Sequence, residues 1–75
     1  MKEAMPLTNV KLGQKVRLKS IGAGRALRSR LSAMGIVPGV ELVVVNTTFA
    51  GPMVVMVKDS KVILGRGIAM KMMVE

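Results

Sequence analysis

The feature that most limits how this chain can fold is the absence of cysteine from a sequence of 75 residues. Neither a disulfide nor a thiolate metal site can hold such a small chain together, so the fold must rest on buried apolar side chains. Apolar residues make up 51% of the sequence, but only one residue, a phenylalanine, is aromatic. We therefore expect one domain over residues 1–75, with an aliphatic and methionine core and a stability of about 5 kcal/mol.

The spacing of apolar residues changes from a strand pattern to a helix pattern in the first half of the chain. Within residues 16–21, Val16 and Leu18 share one face while Arg17 and Lys19 share the other, which is the period of a half-buried strand. Leu27, Leu31 and Met34 then follow one another at helical spacing. The pattern predicts a strand followed by a short helix that begins at Arg25.

Small and rigid residues mark the end of this helix. Gly35 is well placed to adopt the left-handed conformation just past the last turn, and Ile36 can then pack back on Leu31 as in a Schellman cap. A tight turn is expected next, at Pro38 and Gly39. The residues predicted to have a structural role are therefore Leu31, Gly35, Pro38 and Gly39.

The second half of the chain is rich in valine and predicts several short strands. These strands are expected over residues 40–47, 53–57, 62–64 and 71–74. The polar residues 58–61 favour a tight hairpin, and residues 68–70 fit a single 3₁₀ turn. Short twisted strands in so small a chain hide their apolar faces by curling, so we expect a mainly β fold, a small partly open β-barrel of about five strands with one inserted α-helix.

The sequence lacks most of the side chains that enzymes and metal sites use. Histidine, cysteine, tyrosine and tryptophan are absent, so the usual general bases and activated nucleophiles are missing. The four carboxylates, Glu3, Glu41, Asp59 and Glu75, are scattered along the chain. A metal site needs several oxygen or imidazole ligands that converge on the ion, so we expect no enzymatic activity, no cofactor and no high-affinity metal site.

The chain is strongly basic, with 12 Lys and Arg against 4 acidic residues and a formal charge of +8. The main concentration of charge, on the predicted helix and the strand before it, consists of Arg17, Lys19, Arg25, Arg28 and Arg30. Such a surface either keeps a small apolar domain soluble or binds an anionic partner. An acidic protein is favoured over nucleic acid, because aromatic stacking platforms for bases are lacking. We expect these five residues to bind a partner.

Three further features have two interpretations each. Phe49, in a loop between predicted strands, is either a lid over the barrel end or an anchor for a partner, and we add it to the predicted partner-binding residues. The eight methionines fill the core or form an adaptable surface near Met72, which leaves weak self-association open. Residues 22–24 are either a flexible joint or a weak anion site at the start of the helix.

The sequence also predicts where the protein resides. No apolar run approaches the roughly 18 residues needed to cross a bilayer. The first residues mix charge with proline, whereas a secretory signal has a continuous apolar stretch. We therefore expect a cytoplasmic protein.

Several short motifs follow one another along the chain. They are Pro6-Leu7-Thr8, Leu12-Gly13-Gln14, Arg30-Leu31, Met34-Gly35-Ile36-Val37-Pro38-Gly39, Leu64-Gly65-Arg66, Ala69 and Met72-Met73-Val74-Glu75. In this order and spacing they resemble the ferrous iron transport protein A family over nearly the entire chain. The segment from Met34 to Gly39, which resembles the helix-to-turn motif of the family, is the most specific part.

The resemblance implies an SH3-like β-barrel with an inserted helix and a role as a cytosolic accessory protein of ferrous iron uptake. The partner that it implies is the cytoplasmic GTP-binding region of a ferrous iron permease, so that contact with the membrane is through this partner only. The family supplies no catalytic residues to carry over. The same barrel occurs in iron-dependent repressors, and a basic nucleic-acid-binding or repressor-type module is therefore the alternative. It ranks lower because the DNA-reading helices and metal ligands of repressors are absent.

Overall fold

The computed structural model describes residues 3–48 and 51–75, which form six strands, two α-helices and one 3₁₀ turn. In chain order these are β1 (Met5–Pro6), the 3₁₀ turn (Leu7–Asn9), β2 (Lys15–Ile21), α1 (Arg25–Ala33), β3 (Glu41–Thr47), β4 (Met53–Val57), β5 (Ser60–Leu64), α2 (Arg66–Ala69) and β6 (Met72–Val74). The predicted mainly β fold with a helix after the first long strand is confirmed. The short β1 and the helix α2 are additions to the prediction.

The strands form one antiparallel sheet in the order β1-β6-β2-β3-β4-β5. β2 joins the two halves of this sheet, because it pairs with β6 along one side and with β3 along the other. The register shifts between Leu18 and Ser20 in β2 and between Val44 and Asn46 in β3. Such irregularities bend a strand and increase its twist, so they help a short sheet curl around one core. Within the described residues β1 and β5 do not pair, and the barrel is partly open.

The core consists of the inward-facing residues of the strands together with single residues from the helices and connecting turns. In β4 the alternation is regular, since Met53, Val55 and Val57 are buried while Val54 and Met56 are half-buried. No polar or charged side chain is buried among the described residues. The polar groups that the core encloses are therefore those of the backbone, which the sheet pairs by its own hydrogen bonds.

The end of α1 has the expected Schellman cap. Gly35 has a φ of 82°, its N–H donates to the carbonyl of Ser32 at 2.9 Å, and the N–H of Ile36 donates to the carbonyl of Leu31 at 2.9 Å. Leu31 and Ile36 are both buried in the core. The helical spacing also placed Met34 on the buried face, and this was wrong. Met34 is 47% exposed, because the chain has already left helical geometry at this capping residue.

The segment before β6 differs from the expected 3₁₀ turn over residues 68–70, since it forms the short helix α2. Arg66, the first residue of α2, ties this helix to the loop between β3 and β4. Its Nε donates to the carbonyl of Gly51 at 3.1 Å, and its Nη2 donates to the carbonyl of Thr48 at 2.6 Å and to Oγ1 of Thr47 at 3.3 Å. The forked guanidinium can hold several acceptors at once, so Arg66 fixes both ends of this loop. This role of Arg66 was not predicted from the sequence.

Replacing Leu31 with alanine tests whether α1 is packed on the core. Leu31 is 1% exposed, and a buried Leu→Ala change costs roughly 2–5 kcal/mol. Because this approaches the total stability expected for a domain of this size, we expect much of the Leu31→Ala population to be unfolded. The neighbouring Arg30→Ala change removes an exposed side chain and should alter stability by about 0.5 kcal/mol or less. Thermal unfolding followed by circular dichroism compares the two variants, and equal midpoints would show that α1 is not packed on the core.

The turn between β4 and β5 provides a second test of stability. Lys58 has a φ of 57°, a conformation that costs a residue with a side chain roughly 1–2 kcal/mol. Glycine removes this strain but loses about 0.5–1 kcal/mol more conformational entropy on folding. We expect Lys58→Gly to raise the melting temperature by a few degrees, as a gain of about 1 kcal/mol is worth roughly 4–8 °C in a domain of this size. Lys61→Gly, within β5, should lower the melting temperature. If Lys58→Gly lowers it as well, the backbone at Lys58 is not strained.

Candidate partner-binding groove

An open groove of ≈ 360 Å³ lies between α1 and the end of β2. Its walls come from three consecutive parts of the chain. They are formed by Lys19, Ser20 and Ile21 of β2, by Arg28 and Ser32 of α1, and by Ile36, Val37 and Pro38 of the connection to β3.

The groove combines basic walls with an apolar lining. Lys19 and Arg28 are both exposed and come from opposite walls. Ile36 is buried beneath them, whereas Val37 is 39% exposed and Ile21 is half-buried. Of the described residues, none that lines this groove is acidic. The groove can therefore donate charge-assisted hydrogen bonds to carboxylates while it holds an aliphatic side chain.

A type II turn fixes the two walls relative to each other. The N–H of Val40 donates to the carbonyl of Val37 at 3.1 Å, with Pro38 and Gly39 at the two central positions and a φ of 97° at Gly39. This turn is bonded to β2, because the N–H of Gly39 donates to the carbonyl of Leu18 at 2.7 Å and the N–H of Leu18 donates to the carbonyl of Val40 at 2.9 Å. The chain that leaves the capped helix is thus held directly against the strand that forms the other wall.

Only part of the predicted basic cluster converges on the groove. Of the predicted partner-binding residues, Lys19 and Arg28 line it. Arg25 and Arg30 are exposed on α1 but are not among its lining residues. Phe49 lies outside the described residues. Of the three arginines of α1, Arg28 therefore lines the groove, whereas Arg25 and Arg30 do not.

Arg17 lies in a different setting on β2. It lines a separate depression together with Lys15, Val16 and two acidic residues, Glu41 and Glu75. One Arg17 Nη2 atom is 3.9 Å from Oε2 of Glu41, and both side chains are exposed. An exposed pair at this distance contributes little to stability. Its carboxylates make this depression less attractive than the groove to an acidic partner.

The uncharged half of the groove was not predicted from the sequence. It includes Ser20, Ile21, Ser32 and Val37. Ser20 and Ile21 lie where the regular alternation of β2 ends, and Val37 lies between a helix cap and a turn. At such positions the direction of a side chain depends on how the strand and the helix pack together. The spacing of apolar residues in the sequence therefore cannot predict that these residues line a groove.

The loop over residues 22–24, for which two interpretations were open, has a structural link to the rest of the fold. The N–H of Gly22 donates to the carbonyl of Lys71 at 2.6 Å, just before β6. Gly24 is the residue before α1 and has an extended backbone, with a φ of −68°. The loop thus joins β2 to α1 while it contacts the residue just before β6, the strand that pairs with β2.

Two other sequence expectations concern metal ions and membranes. Within residues 3–48 and 51–75, no group of three or more carboxylate side chains is arranged to hold a metal ion. In the same part of the chain, no helix has the length and apolar character needed to span a bilayer.

Comparison with known proteins agrees with the motif order. The family model of the FeoA domain matches residues 5–75. A relative from Methanocaldococcus jannaschii, which has the provisional name Fe(2+) transport protein A, is 43% identical over 70 residues and the match covers 93% of this chain and 84% of the relative. The predicted family resemblance is thereby confirmed at the level of sequence.

Solved structures show the same fold. The crystal structure of an iron uptake regulatory protein, FeoA, is similar with a TM-score of 0.87 at 27% identity, covering 99% of this chain and 97% of that one. A manganese-dependent transcriptional repressor is similar with a TM-score of 0.88 at 24% identity, but the match covers 42% of the repressor against 99% of this chain. The repressor therefore shows the SH3-like fold alone. With the family model, the relative and the FeoA structure in agreement, the chain belongs to the ferrous iron transport protein A (FeoA) family.

Proposed function

We propose that this protein is a cytosolic, non-enzymatic accessory protein of ferrous iron uptake that binds the cytoplasmic GTP-binding region of a ferrous iron permease. Membership in an iron-transport family supports the role in uptake. The observation that carries the binding proposal is the placement of Lys19 and Arg28 on opposite walls of an apolar groove. In this proposal the protein meets the membrane through its partner only.

The chemistry of the groove suits an acidic segment with an aliphatic side chain. Carboxylates of the partner would accept hydrogen bonds from the Arg28 guanidinium and the Lys19 ammonium group. The aliphatic side chain would pack on Ile21 and Val37, which are the lining residues with accessible apolar surface, and this contact removes apolar surface from water. In protein interfaces the charges mainly set the encounter rate and orientation, whereas a buried apolar anchor supplies most of the affinity.

The groove also exists before a partner arrives. The bonds from Leu18 to the turn at Gly39 and Val40 hold its walls together in the isolated chain. A preformed site loses less conformational entropy on binding than a site that must be ordered by the ligand. A small interface can therefore bind with useful affinity.

Two matched double variants test this proposal. Lys19→Glu with Arg28→Glu reverses the charges that line the groove, whereas Arg25→Glu with Arg30→Glu makes the same change in net charge on exposed residues that do not line it. We expect the groove variant to weaken binding to the purified GTP-binding region by about tenfold or more, equivalent to about 1.4 kcal/mol. The control variant should weaken it much less. Surface plasmon resonance with the immobilised GTP-binding region measures both.

The control is not expected to unfold the helix. Arg25 is at the start of α1, where no acidic residue is present and a carboxylate interacts favourably with the helix dipole. Arg30 is in the last turn, where the change has the opposite sign, so the two effects offset each other. Equal loss in both variants would mean that net charge alone attracts the partner, and full binding by the groove variant would place the contact elsewhere. If the wild-type protein binds neither the GTP-binding region nor the full permease, the proposal fails.

The formal charge of +8 favours one alternative, a basic nucleic-acid-binding module. Binding of this kind depends on the release of counterions, so its affinity falls steeply as salt is added. Titration of duplex DNA and of single-stranded RNA at low salt decides between the two functions. A salt-sensitive complex with either nucleic acid, together with no binding to the permease, would favour the alternative.

A further inference from the structure

The two edges of the sheet differ in how well they are protected. β1 has two residues, and one of them is Pro6, which has no backbone N–H to offer. β5 has five residues without proline, and within the described part of the chain it pairs with β4 alone. Proline and short length are common means of blocking an edge strand. The edge at β5 lacks both.

The register of the hairpin determines which backbone groups of β5 face this edge. Val57 pairs with Ser60 across a two-residue turn, so these two residues bond directly to each other. Directly bonded pairs alternate along an antiparallel ladder, and the next such residues on β5 are Val62 and Leu64. The backbone N–H and C=O groups of Lys61 and Ile63 therefore point away from β4, toward the open edge.

The same two residues border an apolar surface on the outside of the barrel. Ile63 is 70% exposed and lies opposite Val54, while Lys61 lies opposite Met56. Val43 continues this row on β3, opposite Met56. The outer face of an antiparallel sheet is normally polar. Here the outward side chains of β3 and β4 at these positions are aliphatic or methionine.

Basic side chains flank this apolar surface on both sides. Lys15 on β2 lies opposite Val43, and Lys61 on β5 ends the same row across four strands. Lys58 in the adjoining turn adds a third positive charge, and Asp59 beside it is the single acidic residue of the hairpin. The surface therefore complements a segment that is both acidic and aliphatic.

We propose that β5 is a strand-addition site, at which an extended acidic segment of a partner protein pairs with Lys61 and Ile63. Its backbone would bond to the outward N–H and C=O groups of these residues. On the face of the added strand that continues the outer face of the sheet, an aliphatic side chain would pack beside Ile63, and a carboxylate two residues away would lie near Lys61 and Lys58. This mode of recognition takes its affinity from main-chain bonds and its specificity from alternate side chains. It is independent of the groove and of the proposed permease complex.

A second copy of this chain fits the edge less well. Pairing of β5 with β5 would bring together two molecules that each have a formal charge of +8. Their repulsion is reduced by salt, so self-association would become stronger as salt is added. Binding of an acidic segment would become weaker under the same conditions. The two occupants therefore give opposite responses to salt.

The test uses a fluorescein-labelled, capped peptide, with fluorescence anisotropy at low salt as the measurement. Every second residue of this acidic peptide is threonine, and the residues between are glutamate and valine in turn, so one face of the strand presents both carboxylates and aliphatic side chains. Two control peptides accompany it, one in which lysine replaces each glutamate, and one in which the acidic peptide is N-methylated along the edge that would face β5. We expect the wild-type protein to bind the acidic peptide and to bind each control at least about tenfold more weakly. N-methylation removes donors without changing charge, so it isolates the main-chain contribution.

Two variants of Lys61 form a matched pair on the protein side. Lys61→Ala removes the charge but keeps the backbone N–H, whereas Lys61→Pro removes both. The N–H of Lys61 faces away from β4, so proline should leave the β4–β5 ladder intact. We expect Lys61→Pro to bind the acidic peptide about tenfold more weakly than Lys61→Ala, with circular dichroism confirming that both variants are folded.

Several outcomes would overturn this inference. Equal binding by folded Lys61→Pro and Lys61→Ala, or equal binding of the N-methylated peptide, would show that no strand is added. Absence of binding to the acidic peptide would also end the proposal. Dimerisation of the wild-type protein that strengthens with salt and is lost in Lys61→Pro, measured by sedimentation equilibrium, would assign the edge to a second copy instead. If Lys61→Pro does not fold, the N-methylated peptide still decides the question with the wild-type protein.

Discussion

The reciprocal backbone bonds between Leu18 and the turn at Gly39 and Val40 are the contact on which the rest of the structure depends. Leu18 is 1% exposed, so its N–H and C=O lie away from water and would be costly to leave unpaired. The sheet register is irregular at this point of β2, and the turn supplies the partners there. Since this turn follows the cap of α1 directly, the same bonds place the helix, the core residue Ile36 and both walls of the groove.

The parts of the fold that the sequence predicted are those whose signals are local. The bounds of β4 agree with the prediction at both ends, because five consecutive apolar residues lie between a Gly-Pro break and a polar turn. The cap of α1 could be predicted because Gly35 and Ile36 are adjacent to the helix end. By contrast, β1 is a strand only because Met5 and Pro6 pair with β6 at the other end of the chain. No local pattern in two residues can indicate such a distant partner.

The candidate groove was predictable only in part, for a related reason. Periodicity places Lys19 on the outer side of β2 and Arg28 on the polar side of α1, but it does not specify how the helix is rotated about its axis relative to the strand. That rotation is set by the burial of Leu31 and by the capped turn, and it decides that Arg28 lines the groove while Arg25 and Arg30 do not. The sequence therefore predicted the charge of the site without its shape or its apolar half.

Net charge and the placement of individual groups contribute differently to partner binding in such a protein. A formal charge of +8 accelerates the encounter with any anionic macromolecule, but on its own it distinguishes poorly among them. Discrimination among anionic partners has to come from hydrogen-bonding groups of fixed direction that lie beside apolar surface. The groove offers these through the side chains of Lys19 and Arg28, and the β5 edge offers them through the backbone of Lys61 and Ile63. A nucleic acid can satisfy the charges at both places, but it has neither aliphatic side chains for the groove nor a peptide backbone for the edge. For this reason a protein partner is proposed for both surfaces, although the net charge alone would suit either class.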